Sequence, residues 1–228
     1  MKRIFIVFII FFSHKSISQV SQDQLGAWYI YFFSGNFAKT SFGIQGDIQY
    51  RNWNLGGDLE QLLIRTGLTY TIKKSKSKFT LGFANVTYGA FGINNQSITG
   101  ESRFYQEFLQ PHKLGKRFYI NHRLRSEQRF VEGHNFRTRY RYALLINIPL
   151  NKEELSKNTI YLAIYDEVFV NGEENIGLGR KVNYFDRNRA YIAVGYMIKD
   201  NLRMQLGIMN QTSTISKNQL QVSLHHFF

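Results

Sequence analysis

Arg123, Arg125 and Arg129 stand close together in residues 117–131, RFYINHRLRSEQRFV, and Arg137, Arg139 and Arg141 follow just beyond a short Glu132–His134 connection. Guanidinium groups grip carboxylates and phosphates through two parallel N–H donors, so such a cluster suits anion recognition or a dense ion-pair network. Glu107, Glu127 and Glu167, with Glu101 and Asp186, are the carboxylates available to pair with it, and Arg187 and Arg189 repeat the pattern further along. Like charges directly opposite one another are destabilising, so carboxylates must intervene if these arginines share one surface. The two outcomes are a fully paired polar core and a basic constriction that selects anions.

Catalytic groupings are weaker. His122 and Ser126 fall on one face, as a lipid acyl hydrolase would need, but four strand residues separate them by about 13 Å, beyond the reach of a base to a nucleophile. His134 lies in a connection, and the adjacent His225 and His226 point to opposite sides of any strand. The chain has no cysteine and its histidines lack ligand spacing, so there is no zinc pattern. Asp58, Glu60, Glu173 and Glu174 read as solvated loop charge. No metal, cofactor or catalytic residue is expected.

Extended chain must position the arginines. Read at a period of two, residues 117–131 put Arg117, Tyr119, Asn121, Arg123, Arg125, Glu127 and Arg129 on one face, and Phe118, Ile120, His122, Leu124, Ser126, Gln128 and Phe130 on the other. Residues 135–149, 202–212 and 218–228 alternate in the same way. Eleven strand-like segments, 25–33, 41–51, 62–72, 79–91, 101–110, 117–131, 135–149, 159–170, 184–198, 202–212 and 218–228, are separated by turn signals, with a possible helical turn at 151–156. Fourteen tyrosines, twenty phenylalanines and two prolines fit this strand-rich reading. One all-β domain follows, a single antiparallel up-and-down transmembrane β-barrel of about twelve strands, with ten the other option, because barrels of this class usually close on an even number.

Three features favour a lipid-facing barrel over a soluble one with the apolar face inside. Phe118 and Phe130 lie twelve residues apart, roughly 29 Å of height at a tilt near 45°, close to an apolar band with its aromatic girdles. The chain ends on Phe228, in phase with the apolar face, an assembly signal for the machinery that inserts barrels. The arginines cluster on neighbouring strands, as a lumen would arrange them. Residues 1–18 read as a secretory signal: a basic start, the apolar run 4–12 and small residues at 16–18. Residues 19–228 are then the barrel domain.

The phrases Asp58–Arg65 (DLEQLLIR), His122–Phe130 (HRLRSEQRF), Arg139–Tyr142 (RYRY), Tyr165–Phe169 (YDEVF) and Phe185–Arg189 (FDRNR) resemble those of the bacterial outer-membrane family catalogued as domain of unknown function 2490. The resemblance covers nearly the whole mature chain. It implies an outer-membrane barrel and supplies neither an activity nor functional residues.

A formal net charge of +13 on an exported chain points away from nucleic acid and toward outer-membrane lipid and glycolipid phosphates or small anionic solutes. The expected role is a non-enzymatic structural or interaction barrel of the outer membrane with an Arg/Glu/Tyr-filled lumen. The alternative is a narrow anion-preferring channel or solute-binding barrel.

Overall fold

The computed structural model describes residues 24–228, so the secretory-signal reading of residues 1–18 lies outside the described residues. Strands β1 (Gly26–Asn36), β2 (Phe42–Asn52), β3 (Leu59–Thr71), β4 (Lys78–Gly89), β5 (Ile98–Leu114), β6 (Phe118–Val131), β7 (Arg137–Pro149) and β8 (Ile160–Asn171) follow one another as neighbours. A small hairpin of β9 (Asn175–Gly177) and β10 (Arg180–Lys181) occupies the next connection. Strands β11 (Phe185–Lys199), β12 (Leu202–Thr212) and β13 (Ser216–Phe227) complete a closed barrel.

The wall has eleven strands, not twelve or ten. An odd count has a geometric consequence. Successive strands alternate in direction, so the first and last run the same way, and β1 pairs with β13 in parallel, Tyr29 opposite Val222 and Tyr31 opposite Leu224. The expectation of a wholly antiparallel wall is therefore corrected at this one seam; every other pairing in the wall is antiparallel.

Two local expectations also change. The turn placed at 111–116 begins later, because β5 runs on to Leu114 with Pro111 opposite Asn121. A proline removes one ladder donor, and the pairing on either side of it is enough to carry the strand through. The expected helical turn at 151–156 is absent: residues 151–155 form bends.

The period-two patterns set the two faces of the wall. Leu68, Leu81, Phe104, Leu124, Ile192 and Leu206 are all more than half exposed on the outside. Aromatic rings run side by side from β4 to the residue before β7, with centroids 5.3 Å apart for Phe83 and Phe104, 6.3 Å for Phe104 and Phe130, and 5.2 Å for Phe130 and Phe136. Phe118 and Phe130 both lie on this outer surface. The buried residues inside are largely charged, amide or aromatic. Glycines make room for the largest of them: a Cβ on Gly82 would stand 2.2 Å from Cζ of Tyr105, and one on Gly195 2.1 Å from Cζ of Tyr161. Gly133, at φ +68°, supplies the left-handed residue of the tight β6–β7 turn.

Candidate functional site: the charged lumen

Strands β5 to β8 place the predicted ladder on the inner surface, where it forms a connected lattice. Glu127 sits at its centre, 1 % exposed. Its Oε2 accepts from Nε and Nη2 of Arg139 at 2.9 and 2.6 Å, and its Oε1 accepts from Nη1 of Arg141 at 2.6 Å. Arg141 also donates through Nε to Glu167 Oε1 at 2.9 Å, and Arg123 reaches the same oxygen at 2.7 Å. Arg125 donates through Nε to Glu107 at 2.7 Å and is paired with it through Nη2 as well. Glu101 accepts from both Arg103 and Arg129. Asp186 joins Arg139 at 3.0 Å and Arg187 at 3.0 Å.

The neighbouring-strand registers explain why this works. Glu127 lies opposite Arg139 and Glu107 opposite Arg125, while Arg103 and Arg129, opposite each other, share Glu101. Where the register sets arginine against arginine, different carboxylates hold the guanidiniums: Arg125, opposite Arg141, pairs with Glu107 while Arg141 pairs with Glu127, and Arg129, opposite Arg137, pairs with Glu101. Each carboxylate thus serves two cations, which is how a surface with more arginine than glutamate avoids direct repulsion.

All eleven predicted ladder residues belong to this inner wall, but not all to the lattice. Arg189 is 8 % exposed, donates through Nε to Gln211 at 2.8 Å, and makes no ion pair among the described residues. Its guanidinium lies over the rings of Trp28 and Phe169, 4.8 Å from each centroid. Arg137 likewise has no carboxylate partner among the described residues, and its Nε is buried without a hydrogen bond.

The opposite wall holds site residues that the sequence reading passed over. Gln45, Asp47, Gln49 and Arg51 line β2, and Asp47 binds Arg65 of β3 through Nε at 2.7 Å. Among the described residues Arg51 donates only to the side-chain amides of Gln49 and Gln61, and its guanidinium stacks 3.8 Å from the Trp28 ring centroid. These residues alternate as regularly as those of β6 and β7. The same period-two reading, applied to residues 41–51, would have found them.

A cavity of about 780 Å³ runs between the walls. It is lined near the β12–β13 turn by Ser213, Ile215 and Lys217, and at the far end of β13 by Phe227 and its β1 partner Ser34, so it extends along the length of the lumen. Its flank against β1, β8 and β11 is apolar: Trp28, Ile30, Ala163 and Tyr191 belong to a buried cluster with Tyr161, Ala193, Met197 and Met209. The lumen is therefore less uniformly polar than an Arg/Glu/Tyr filling suggests.

The remaining candidates have ordinary partners. On the outer face, His122 Nδ1 lies 2.8 Å from the Tyr142 hydroxyl, while Ser126 donates to Gln106 at 2.6 Å. The two are not in contact with each other, as the spacing required. His134 lies 3.2 Å from Arg180 Nη1; burial, and second that cation, hold its imidazole below the ordinary histidine range. Three of the four acids read as solvated loop charge are structural instead, and the fourth, Glu174, is exposed. Asp58 is buried and accepts from the Gly92 amide, Glu60 accepts from Trp28 Nε1, and Glu173 accepts from the Thr138 amide and hydroxyl. Phe228 follows β13, exposed and packed edge-on against His226.

Neither a curated protein nor a solved structure matches the chain. A family model described as protein of unknown function (DUF2490) matches residues 25–221, across ten of the eleven wall strands in full and into the eleventh, and the chain belongs to that family.

Proposed function

We propose that this protein is an outer-membrane barrel whose lumen is a narrow, anion-preferring passage. The observation that carries the reading is the cavity running the length of the lumen past Arg51 and Arg189, two buried cations that form no ion pair among the described residues. Uncompensated positive charge in a confined, low-dielectric bore raises the local anion concentration and repels cations.

The distribution of side chains supports the membrane placement. Buried charge inside and a band of exposed leucine, isoleucine and phenylalanine outside is the reverse of a soluble barrel, whose outer face meets water. The structural-barrel reading is favoured by a different observation. The Glu127 and Glu167 lattice ties β6, β7 and β8 together and narrows the bore. It predicts no conductance at all.

Fractionation and conductance test the proposal together. The protein is expected in the outer membrane, requiring detergent for release and migrating anomalously on gels unless boiled. Reconstituted in planar bilayers, it should give a small conductance with anion preference, reduced when Arg51 and Arg189 are changed to Ser. Recovery from the soluble periplasm would overturn the location. A cation-selective conductance would overturn the lumen assignment, and a silent bilayer would favour the structural barrel.

A further inference from the structure

We infer that the lumen carries a binding site for an amphiphilic organic anion, with Arg51 and Arg189 holding its acidic group against Trp28 and its apolar body lying along Ile30, Ala163 and Tyr191. The inference deepens the passage reading by naming the solute. It needs the lumen to be a chamber, but not the outer wall to face lipid.

The two arginines are built into the barrel, and no carboxylate among the described residues pairs with either of them. Arg51 is 7 % exposed and Arg189 8 %, and neither forms an ion pair among the described residues. A guanidinium taken out of water without a counter-ion is costly, and stacking on an indole offsets only part of that. Both guanidiniums nevertheless converge on one ring, Trp28, at 3.8 and 4.8 Å from its centroid. The neighbouring carboxylates are committed elsewhere: Asp47 to Arg65, Glu167 to Arg123 and Arg141, and Glu60 to Trp28 Nε1 and Lys217. Two like charges brought together at a cavity wall are a receptor for an anion.

The cavity sets the rest of the ligand. Next to the arginines its surface turns apolar, through Ile30, Ala163 and Tyr191. At about 780 Å³ it falls in the size range of small-molecule sites, and Ile30, Ala163 and Tyr191 give its mostly polar and charged lining one apolar flank. An inorganic anion would use the charge and leave the apolar flank uncovered; a neutral lipid would do the opposite. A carboxylate or sulfonate on a body of six to ten carbons uses both.

Trp28 reports occupancy directly. The chain has two tryptophans, so Trp53→Phe leaves Trp28 as the single tryptophan, whose emission is excited selectively over the fourteen tyrosines. In this background, refolded in a neutral maltoside detergent, octanoate should change the emission saturably. Its affinity should be at least tenfold tighter than that of acetate, which lacks the body, or 1-octanol, which lacks the charge. Arg51→Gln and Arg189→Gln should each weaken octanoate about tenfold, the loss of one charge-assisted contact. Ala163→Phe, which narrows the apolar flank and leaves the charges alone, should weaken octanoate but not acetate. The comparison of the three ligands uses only Trp53→Phe, a ring-for-ring change at the cavity wall, and no arginine variant, so it stands even if the arginine variants fail to fold. Equal affinities for octanoate and acetate, equal affinities for octanoate and 1-octanol, or no saturable change would overturn the site, as would undiminished binding in a folded double arginine variant. Binding in micelles is independent of cellular location, so failure here leaves the membrane reading intact, and failure of fractionation leaves the site intact.

Discussion

Glu127 and Arg139 stand directly opposite each other across β6 and β7, and two guanidinium nitrogens of Arg139 converge on the single oxygen Oε2. The other oxygen is left free for Arg141, so one carboxylate neutralises two buried arginines. Removing one partner of a buried pair strands the remaining charge, which is why such pairs are costly to break even where they add little net stability. Glu127→Ala should therefore destabilise the folded barrel by about 3–5 kcal/mol. Glu153, whose pairing with Lys116 at 3.5 Å is solvent-exposed, gives the contrast: Glu153→Gln should stay within about 0.5 kcal/mol. Urea unfolding followed by gel mobility separates the two. Equal effects would mean that the lattice is solvated.

Leu124 tests the opposite face of the same strand. It is 53 % exposed and lies between Phe118 and Phe130 on the outer surface of β6. If that surface meets hydrocarbon, Leu124→Arg places a charge in lipid and should cost about 2–4 kcal/mol in vesicles. On a water-facing surface the same change would be almost silent. Unfolding measured in bilayers decides this, and a cost near zero would sink the membrane placement.

Much of this architecture could be read from the chain, and the residues show why. Period-two alternation is a local property, so the inward set of β6 and β7, from Arg123 to Arg141, follows from spacing alone. Pairing across strands is not local. Which carboxylate meets which arginine depends on register, and register depends on turn lengths that shift by several residues, as at Pro111, where β5 continues to Leu114. The closing seam was hidden for a related reason. No short-range signal says whether β1 meets β13 parallel or antiparallel; that depends on the total strand count. The apolar flank of the lumen was missed because Ala163, Ala193 and Gly195 look unremarkable in sequence, and matter only where a ring such as Tyr161 lies across them. Arg51 and Trp28, on different strands, become a site only once the barrel brings them together.

Gly82 offers a test of how tightly the lumen is filled. The Tyr105 ring, 3 % exposed, lies over it, with Arg125 4.9 Å from the ring centroid. Gly82→Val pushes methyl groups into that ring and should destabilise by about 1–3 kcal/mol, the usual range for overpacking. The same substitution in a Tyr105→Ala background should cost much less, because the obstacle is gone. Additive losses in the double-mutant cycle would mean that the ring does not rest on Gly82.

The parallel seam can be tested chemically, because the chain contains no cysteine to compete. Tyr31 on β1 and Leu224 on β13 are direct partners, and Leu224 is in turn opposite Met204 on β12. Adjacent strands lie about 4.8 Å apart, within disulfide reach, whereas two strand spacings of about 10 Å are not. Tyr31→Cys with Leu224→Cys should therefore cross-link readily on mild oxidation, while Tyr31→Cys with Met204→Cys should not. The disulfide would join chain regions close to the two ends of the wall, so the boiled, unreduced protein should migrate faster than its reduced form. A barrel closed by a twelfth strand between β1 and β13 would hold residues 31 and 224 two spacings apart. It would leave this pair open, which makes the absence of the cross-link in the folded barrel the result that rejects an eleven-stranded wall.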